Sequence, residues 1–250
     1  MSNPADEPNS NAIVPRNERA LASRSSALAQ RTLADFKRLT VQREELTQLR
    51  QTIGQDIEQC ELALMRGASA ASHLDQVCGE RLPAWRRAAE LGWPEGQWLL
   101  GQCFRLGLGI EHDAAQAVDL FGTAAEQGHA LAQYFLGLCY LHGEGVDSDK
   151  AEAVYWFHKA AGQGYSIAQY GLGFCYYNGH GVERDDSMAV HWWREAAGQG
   201  NSLAQFHLGI CYSNGYGVSR DKAEGVRWWR EAATQGHEAA IAKLNRQGAR

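Results

Sequence analysis

Four of the six cysteines recur at a fixed spacing of 36 residues, and thiols can bind metals, form disulfides or act as nucleophiles. Equivalent atoms on adjacent packed helices lie about 8–10 Å apart, beyond the reach of a disulfide. A tetrahedral zinc site needs four converging ligands, and only Cys139 has a histidine, His142, at helical spacing. We therefore predict reduced core thiols and no metal. The four positions are Cys103, Cys139, Cys175 and Cys211.

Two further patterns could bind ligands. Gly-x-Gly occurs at residues 107–109 and recurs in register three more times. A dinucleotide fingerprint follows a strand and opens a helix, whereas these glycines follow helical patterns, which indicates turns. Trp192-Trp193-Arg194 interleaves aromatic and basic side chains, as some single-strand binders do, but its register with Trp156-Phe157 favours core packing. Because no catalytic set stands out, we predict no catalytic residue and no cofactor.

Charge and composition exclude several classes of protein. The formal net charge is -5, and residues 94–250 carry 12 basic and 17 acidic side chains, which argues against nucleic acid as the main partner. Residues 1–15 have neither the basic start nor the apolar core of a secretory signal, and no run resembles a membrane span. We therefore predict a cytoplasmic protein without membrane insertion.

The elements that position these residues belong to an internal repeat. Segments such as LAQYFLGLCYLHGEGV and IAQYGLGFCYYNGHGV recur 36 residues apart, and each copy holds two apolar patterns of helical spacing, helix A and helix B. A single helix pair cannot bury its apolar face, so the copies are expected to stack. The four copies span residues 94–129, 130–165, 166–201 and 202–237.

Polar residues and glycines mark the predicted helix ends. An aspartate precedes each helix B and is predicted to cap it, with Gln116, Glu152 and Glu224 completing a capping-box-like pair in three copies. A glycine follows each helix B, where a left-handed backbone conformation ends a helix. The aspartates are Asp113, Asp149, Asp185 and Asp221, and the glycines are Gly128, Gly164, Gly200 and Gly236.

The pattern A-x-x-L-G-x-x-Y-x-x-G-x-G-V-x-x-D-x-x-x-A-x-x-W-[FW]-x-x-A-A-x-Q-G resembles the Sel-1-like repeat, a relative of the tetratricopeptide repeat. The resemblance covers about residues 84–247 and departs from the pattern at Gly96, Leu120 and Gly225. It implies an all-α fold, a right-handed α-solenoid of stacked helix pairs, and a non-enzymatic scaffold or adaptor. A hydrolase-like or penicillin-binding activity, as in cysteine-rich relatives, is the alternative, and a nucleic-acid-associated role is the third.

The parts outside the four copies are predicted to extend and cap them. Residues 1–18 are a flexible segment, 19–67 a long amphipathic helix, 68–93 a degenerate capping half-repeat, and 238–250 a capping helix and tail. Leu39, Leu46, Ile53 and Cys60 lie seven residues apart in the long helix, although Gln42 and Asp56 interrupt the companion positions. The sequence leaves open whether this helix forms a homodimer or packs onto its own repeats.

Helix A positions that differ between copies fall on one helical face. In tetratricopeptide-like folds the A helices line the concave surface, so this face is a predicted groove for a protein partner, either a peptide or a helix. Leu131, Ile167 and Leu203 start the same face and could instead belong to the core between copies. The predicted groove residues are Leu99, Gln102, Leu106, Phe135, Leu138, His142, Gly171, Phe174, Asn178, His207, Ile210 and Asn214.

Overall fold

The computed structural model describes residues 16–66 and 69–248. Within these ranges the chain is all-α, with eleven helices and no strand. The chain divides into two compact units, Met1–Arg50 and Gln51–Arg250. Residues 1–15 of the predicted flexible segment lie outside the described residues, whereas residues 16–18 already belong to the first helix.

The first helix, α1, is one continuous helix from Arg16 to Met65. In the first unit its apolar side chains Leu39, Val41 and Leu46 are exposed. In the second unit, the last part of α1 is followed by α2, Ala71–Glu90, which is longer than any helix of the repeats. The predicted half-repeat is thus a single helix, with Trp85 and Ala88 buried at the positions expected for helix B.

The four copies form helix pairs that contact one another in chain order. Each helix of a pair has 13 residues, and a shorter helix follows the last copy. That final helix, α11, buries Ala240 beside Trp229. The helices are α3 Pro94–Leu106, α4 Ala114–Glu126, α5 Ala130–His142, α6 Lys150–Gly162, α7 Ser166–Asn178, α8 Asp186–Gly198, α9 Ser202–Asn214, α10 Lys222–Thr234 and α11 Glu238–Gly248.

The aspartates predicted as N-caps do cap each helix B. Asp149 Oδ1, for example, accepts hydrogen bonds from the backbone N–H groups of Ala151 and Glu152 at 2.9 and 3.0 Å. The reciprocal half of the predicted capping box is not formed, because the N–H of Asp149 already donates to the Tyr140 carbonyl of helix A at 2.9 Å. In the first copy the Gln116 side chain instead donates to the Asp113 carboxylate. The cap therefore also ties helix B to helix A.

Glycine in helix A allows the two helices of a copy to pack closely. A Cβ on Gly137 would lie 2.7 Å from the Phe157 ring, and one on Gly173 would lie 2.6 Å from the Trp193 ring. The same position faces Phe121 in the first copy and Trp229 in the fourth. The register of the tryptophan pairs thus places their second member in the core, while Arg194 beside them is exposed.

A column of glutamine pairs joins the two ends of each copy. Gln163 Nε2 donates to Gln133 Oε1 at 2.8 Å, and the Gln133 amide donates to the Ala125 carbonyl at the end of the preceding helix B. The pair recurs at 2.8 Å in the other three copies. Gln133 and, in the fourth copy, Gln205 therefore satisfy a backbone carbonyl of the preceding copy, a role that no pattern in the sequence predicted.

None of the helices in the described ranges combines the length and the apolar character that crossing a bilayer requires.

Candidate functional site

The first column of the predicted groove lies mostly inside the repeats. Leu99 and Phe135 are buried, and the Phe135 ring packs 5.6 Å from Trp98 and 5.9 Å from Phe121. The third copy has Gly171, where an added Cβ would lie 3.4 Å from the ring of Tyr134, an ordinary van der Waals distance. In the fourth copy, the ring centroid of His207 lies 4.8 Å from that of Trp193, with the two rings tilted by 40°. This column therefore packs one copy on the next and offers little surface to a partner.

The middle column is more accessible in three of the four copies. Gln102, in the first copy, is buried and accepts a hydrogen bond from Arg105 Nε at 2.8 Å. Its counterparts Leu138, Phe174 and Ile210 are half-buried and apolar. Three stacked A helices thus present a row of partly exposed apolar side chains.

A polar margin lies one helical turn further along the A helices. His142, Asn178 and Asn214 are exposed, while Leu106 of the first copy is half-buried. The side-chain amides of Asn178 and Asn214 each donate to the carbonyl four residues earlier at 2.9 Å. Their carbonyl oxygens remain free to accept hydrogen bonds from a ligand.

The start of the predicted groove is covered. Leu131 and Ile167 are buried, whereas Leu203 of the fourth copy is half-buried. Leu131 and Ile167 line a cavity of about 290 Å³ whose other wall includes Leu64 and Met65 of α1. The end of α1 therefore lies on the face that the sequence analysis assigned to a partner.

Polar contacts hold the end of α1 in this position. Trp85 Nε1 donates to Asp56 Oδ2 at 2.9 Å, and His73 Nε2 lies 3.6 Å from the same carboxylate. The Tyr165 hydroxyl donates to the carboxylate of Glu61. In the sequence Asp56 only interrupts a heptad pattern, and no motif marks Glu61 or Tyr165 as contact residues.

One sequence signal could have identified Tyr165. The same position in the other copies holds His129, Asn201 and His237, and each of these side chains accepts a hydrogen bond from the third residue of the A helix that follows. Tyr165 makes no such cap to α7. A residue that abandons a repeated structural contact is a candidate for a different one.

The four cysteines that recur every 36 residues have the raised pKa values of buried thiols. Burial raises the pKa of Cys103, Cys139, Cys175 and Cys211 to about 12, so the thiols stay protonated at neutral pH. All six cysteines are free. A protonated buried thiol is neither a nucleophile nor a metal ligand. In residues 16–66 and 69–248, no group of three histidine, cysteine, aspartate or glutamate side chains converges as a metal site would.

A protein-family model matches the repeated part of the chain. The model described as Sel1 repeat matches residues 94–129, 130–165, 166–201 and 202–237. These bounds coincide with the four copies read from the sequence. Comparison with curated proteins gives no match.

Two solved structures illustrate the similarity. A protective antigen present in uropathogenic Escherichia coli strains, described as displaying an SLR fold, is 38% identical with a TM-score of 0.61, covering 78% of this chain and 42% of that one. A Sel1 repeat protein from Oxalobacter formigenes is 36% identical with a TM-score of 0.59, covering 66% of this chain and 48% of that one. The chain thus spans less than half the length of either.

Proposed function

This chain belongs to the Sel1 repeat family, and from that premise we propose that it is a non-catalytic scaffold that binds a peptide or an amphipathic helix of another protein. Sel1 repeat proteins generally mediate protein–protein interactions. The proposed binding surface is the concave face of the A helices in the second to fourth copies. We call it the repeat groove and define it by Leu138, Phe174, Ile210, His142, Asn178 and Asn214.

The apolar row of the repeat groove is the observation that carries this proposal. Leu138, Phe174 and Ile210 are half-buried at equivalent positions of consecutive copies. Adjacent packed helices lie about 8–10 Å apart, so the row provides anchor points along an extended or helical ligand. The exposed asparagines beside the row supply polar groups that can fix the ligand's direction.

Self-association through the first unit is a separate part of the proposal. Leu39 and Leu46 are exposed and lie seven residues apart on α1, as in a coiled-coil seam. Ile53 and Cys60 continue the same spacing but are buried within the second unit. The proposed homodimer interface is therefore confined to the part of α1 before residue 51.

A double substitution tests the repeat groove. Ligands are selected from a displayed library of helical peptides on the wild-type chain, and their dissociation constants are then measured by fluorescence anisotropy. We expect Leu138→Asp with Phe174→Asp to weaken binding at least about thirtyfold, because two desolvated apolar anchors are worth about 1–2 kcal/mol each. Circular dichroism should show an unchanged helix content.

The control is Tyr155→Asp, which replaces a 47% exposed aromatic side chain on helix α6. It should leave the dissociation constants within about twofold of wild type. Equal affinity of the wild type and the double variant would rule out the repeat groove as the binding surface. If the double variant unfolds, the milder Phe174→Ala decides the question by the same comparison.

A further inference from the structure

The last four turns of α1 have one buried face and one exposed face. Ile53 is 3% exposed, Asp56 3%, Cys60 0% and Leu64 9%. Their spacing of three, four and four residues places them on one helical face. The opposite face is exposed, at Gly54, Gln55, Glu58, Gln59 and Leu62. Residues 51–65, which we call the seated segment, therefore form an amphipathic helix whose apolar face is covered.

The seat for this helix lies on two separate parts of the second unit. Asp56 is bound by Trp85 of α2, whereas Glu61 is bound by Tyr165, at the turn between the second and third copies. Leu64 and Met65 line a common cavity with Leu131 and Ile167 of these copies. The seated segment thus covers the beginning of the A helices in the second and third copies.

Tyr165 is specialised for this contact. At the ends of the other copies, His129, Asn201 and His237 cap the helix that follows, whereas Tyr165, like Trp93 before α3, makes no such side-chain cap. The A helices of the second and fourth copies, α5 and α9, form with a capping side chain at this position. The substitution is explained by the carboxylate that the tyrosine hydroxyl binds.

The seat is also incompletely filled. A pocket of about 290 Å³, open to solvent on one side, lies between the end of the seated segment and the copies. Burial, and then the neighbouring Glu58 carboxylate, raise the pKa of Glu61, so the carboxylate in this contact is partly desolvated. Such a contact can exchange more easily than a core contact.

We propose that the surface formed by Tyr165, Leu131 and Ile167 is a helix-binding site, and that the seated segment is its resident intramolecular ligand. The partner that this site fits is an amphipathic helix with a carboxylate about one turn before an apolar anchor, as Glu61 precedes Leu64. Such a helix binds by taking the place of the seated segment. The inference rests on the proposed function only in assuming that an outside helix uses the face of the A helices.

Cys60 lies on the buried face of the seated segment and is 0% exposed, so its reactivity measures how often the segment leaves its site. We measure the rate of maleimide labelling at Cys60 by peptide mass spectrometry, with buried Cys175 as an internal reference for the repeats. Tyr165→Asn removes the contact to Glu61 and supplies the residue that caps α9 at Asn201. We expect labelling of Cys60 to rise about tenfold, as for the loss of one hydrogen bond to a charged group, with Cys175 unchanged.

The matched control is Tyr155→Asn, the same substitution at an exposed tyrosine, which should leave both labelling rates at the wild-type value. An unchanged rate at Cys60 in Tyr165→Asn would overturn the role given to Tyr165. Faster labelling of both thiols would also count against the proposal, because it would show general loosening of the repeats.

Exchange is tested with a fluorescein-labelled peptide of residues 51–66. The receptor is the full chain carrying Ile53→Asp and Leu64→Asp, in which the seated segment is released while Cys175 stays protected. We expect the peptide to bind this receptor at least tenfold more tightly than the wild type, and a peptide with Glu61→Lys to bind it more weakly. Equal binding to both receptors, or to neither, would overturn the proposal.

The two proposals fail in different ways. If the peptide of residues 51–66 binds the released receptor but library-selected ligands ignore Leu138 and Phe174, the repeat groove is wrong and the helix-binding site stands. If the selected ligands depend on Leu138 and Phe174 while the peptide binds neither receptor, the repeat groove stands and this inference is wrong.

Discussion

His129 caps helix α5 through a titratable ring. Its Nδ1 accepts a hydrogen bond from the Ala132 N–H at 3.2 Å. Burial lowers the pKa of His129 from 6.5 to about 4, since the charged imidazolium would lose its hydration. Protonation at Nδ1 would also remove the acceptor that the cap uses. The neutral ring is therefore the form that supports the fold.

This lowered pKa predicts acid sensitivity that one substitution should reduce. Between pH 6.5 and about 4 the unfolded chain binds a proton at His129 that the folded chain does not, so stability falls as the pH falls through this window. His129→Asn keeps a cap, as Asn201 does for α9, but cannot titrate. We expect the loss of unfolding free energy between pH 7 and pH 4 to shrink by up to about 3 kcal/mol.

Chemical denaturation at a series of pH values measures this difference. His142→Asn, at an exposed position of the same helix, is the control and should follow the wild-type profile. If His129→Asn loses stability with acid as steeply as the wild type, the buried ring of His129 is not a source of the acid sensitivity.

Single residues with a local role were predictable from the sequence. The aspartate caps and the glycines after each helix B act within a few residues of their own position, and the structure confirms both. The prediction of a capping box was wrong in its reciprocal bond, because the backbone N–H of the capping aspartate already donates to a carbonyl of helix A. The roles of Asp56 and Tyr165 depend on partners far away in the chain, so no local pattern revealed them.

In three of the four Gly-x-Gly turns the second glycine lies against the start of helix B in the preceding copy. Gly145 has a φ of 74°, in the left-handed region, and a Cβ at this position would overlap the backbone carbonyl of Ala114 at the start of α4. Gly181 and Gly217 make the corresponding approach to Lys150 and Asp186. These turns are therefore contacts between copies, and no phosphate-binding role is needed to explain their glycines.

The turn contact predicts opposite effects for two glycine-to-alanine substitutions. Gly145→Ala is expected to lower the unfolding free energy by more than about 2 kcal/mol, because it combines a left-handed backbone with a clash against backbone atoms. Gly162→Ala, at a helical position with nothing within 4 Å of the added Cβ, should raise it by a few tenths to about 1 kcal/mol. Thermal melts followed by circular dichroism compare the two variants, and similar melting temperatures would contradict this account of the turn.

Among the elements, the repeated helices were predictable and the long helix was only partly so. The sequence pattern of the helix pair occurs in all four copies. Its 36-residue period therefore fixes which face of each helix is buried and where the turns lie. Helix α1 carries one heptad line, but Leu39 and Leu46 are exposed while Ile53 and Cys60 are buried. The sequence left self-association and packing open. In the structure Ile53 and Cys60 pack within the second unit, where their side chains are buried.

At the scale of the whole molecule, the second unit is a stack in which each copy contacts its neighbours in order. Each end of the stack meets a helix that departs from the repeat. α2 is longer than a repeat helix, and α11 buries Ala240 beside Trp229 while its side chains Glu238, Lys243 and Arg246 are exposed. Stacks of this kind gain stability from contacts between adjacent copies, so the binding properties depend on the number of copies as well as on their surface.

The exposed heptad residues of the first unit carry the remaining prediction, which concerns the assembly of the molecule. Leu39 is 64% exposed and Leu46 is 37% exposed, and a second α1 helix would cover both in a coiled coil. Size-exclusion chromatography with light scattering should give about twice the chain mass of 27.6 kDa for the wild type. Leu39→Glu with Leu46→Glu should give the mass of a single chain, because like charges would face each other across the seam.

Val41→Glu separates the seam from a general effect of added charge. Val41 is 53% exposed but lies two residues from Leu39, and so on the other side of the helix. This variant should keep the mass of the wild type. A wild type that elutes with the mass of one chain at all concentrations tested would refute the dimer. A Val41→Glu variant that dissociates as fully as the double variant would show that the two leucines do not define the interface.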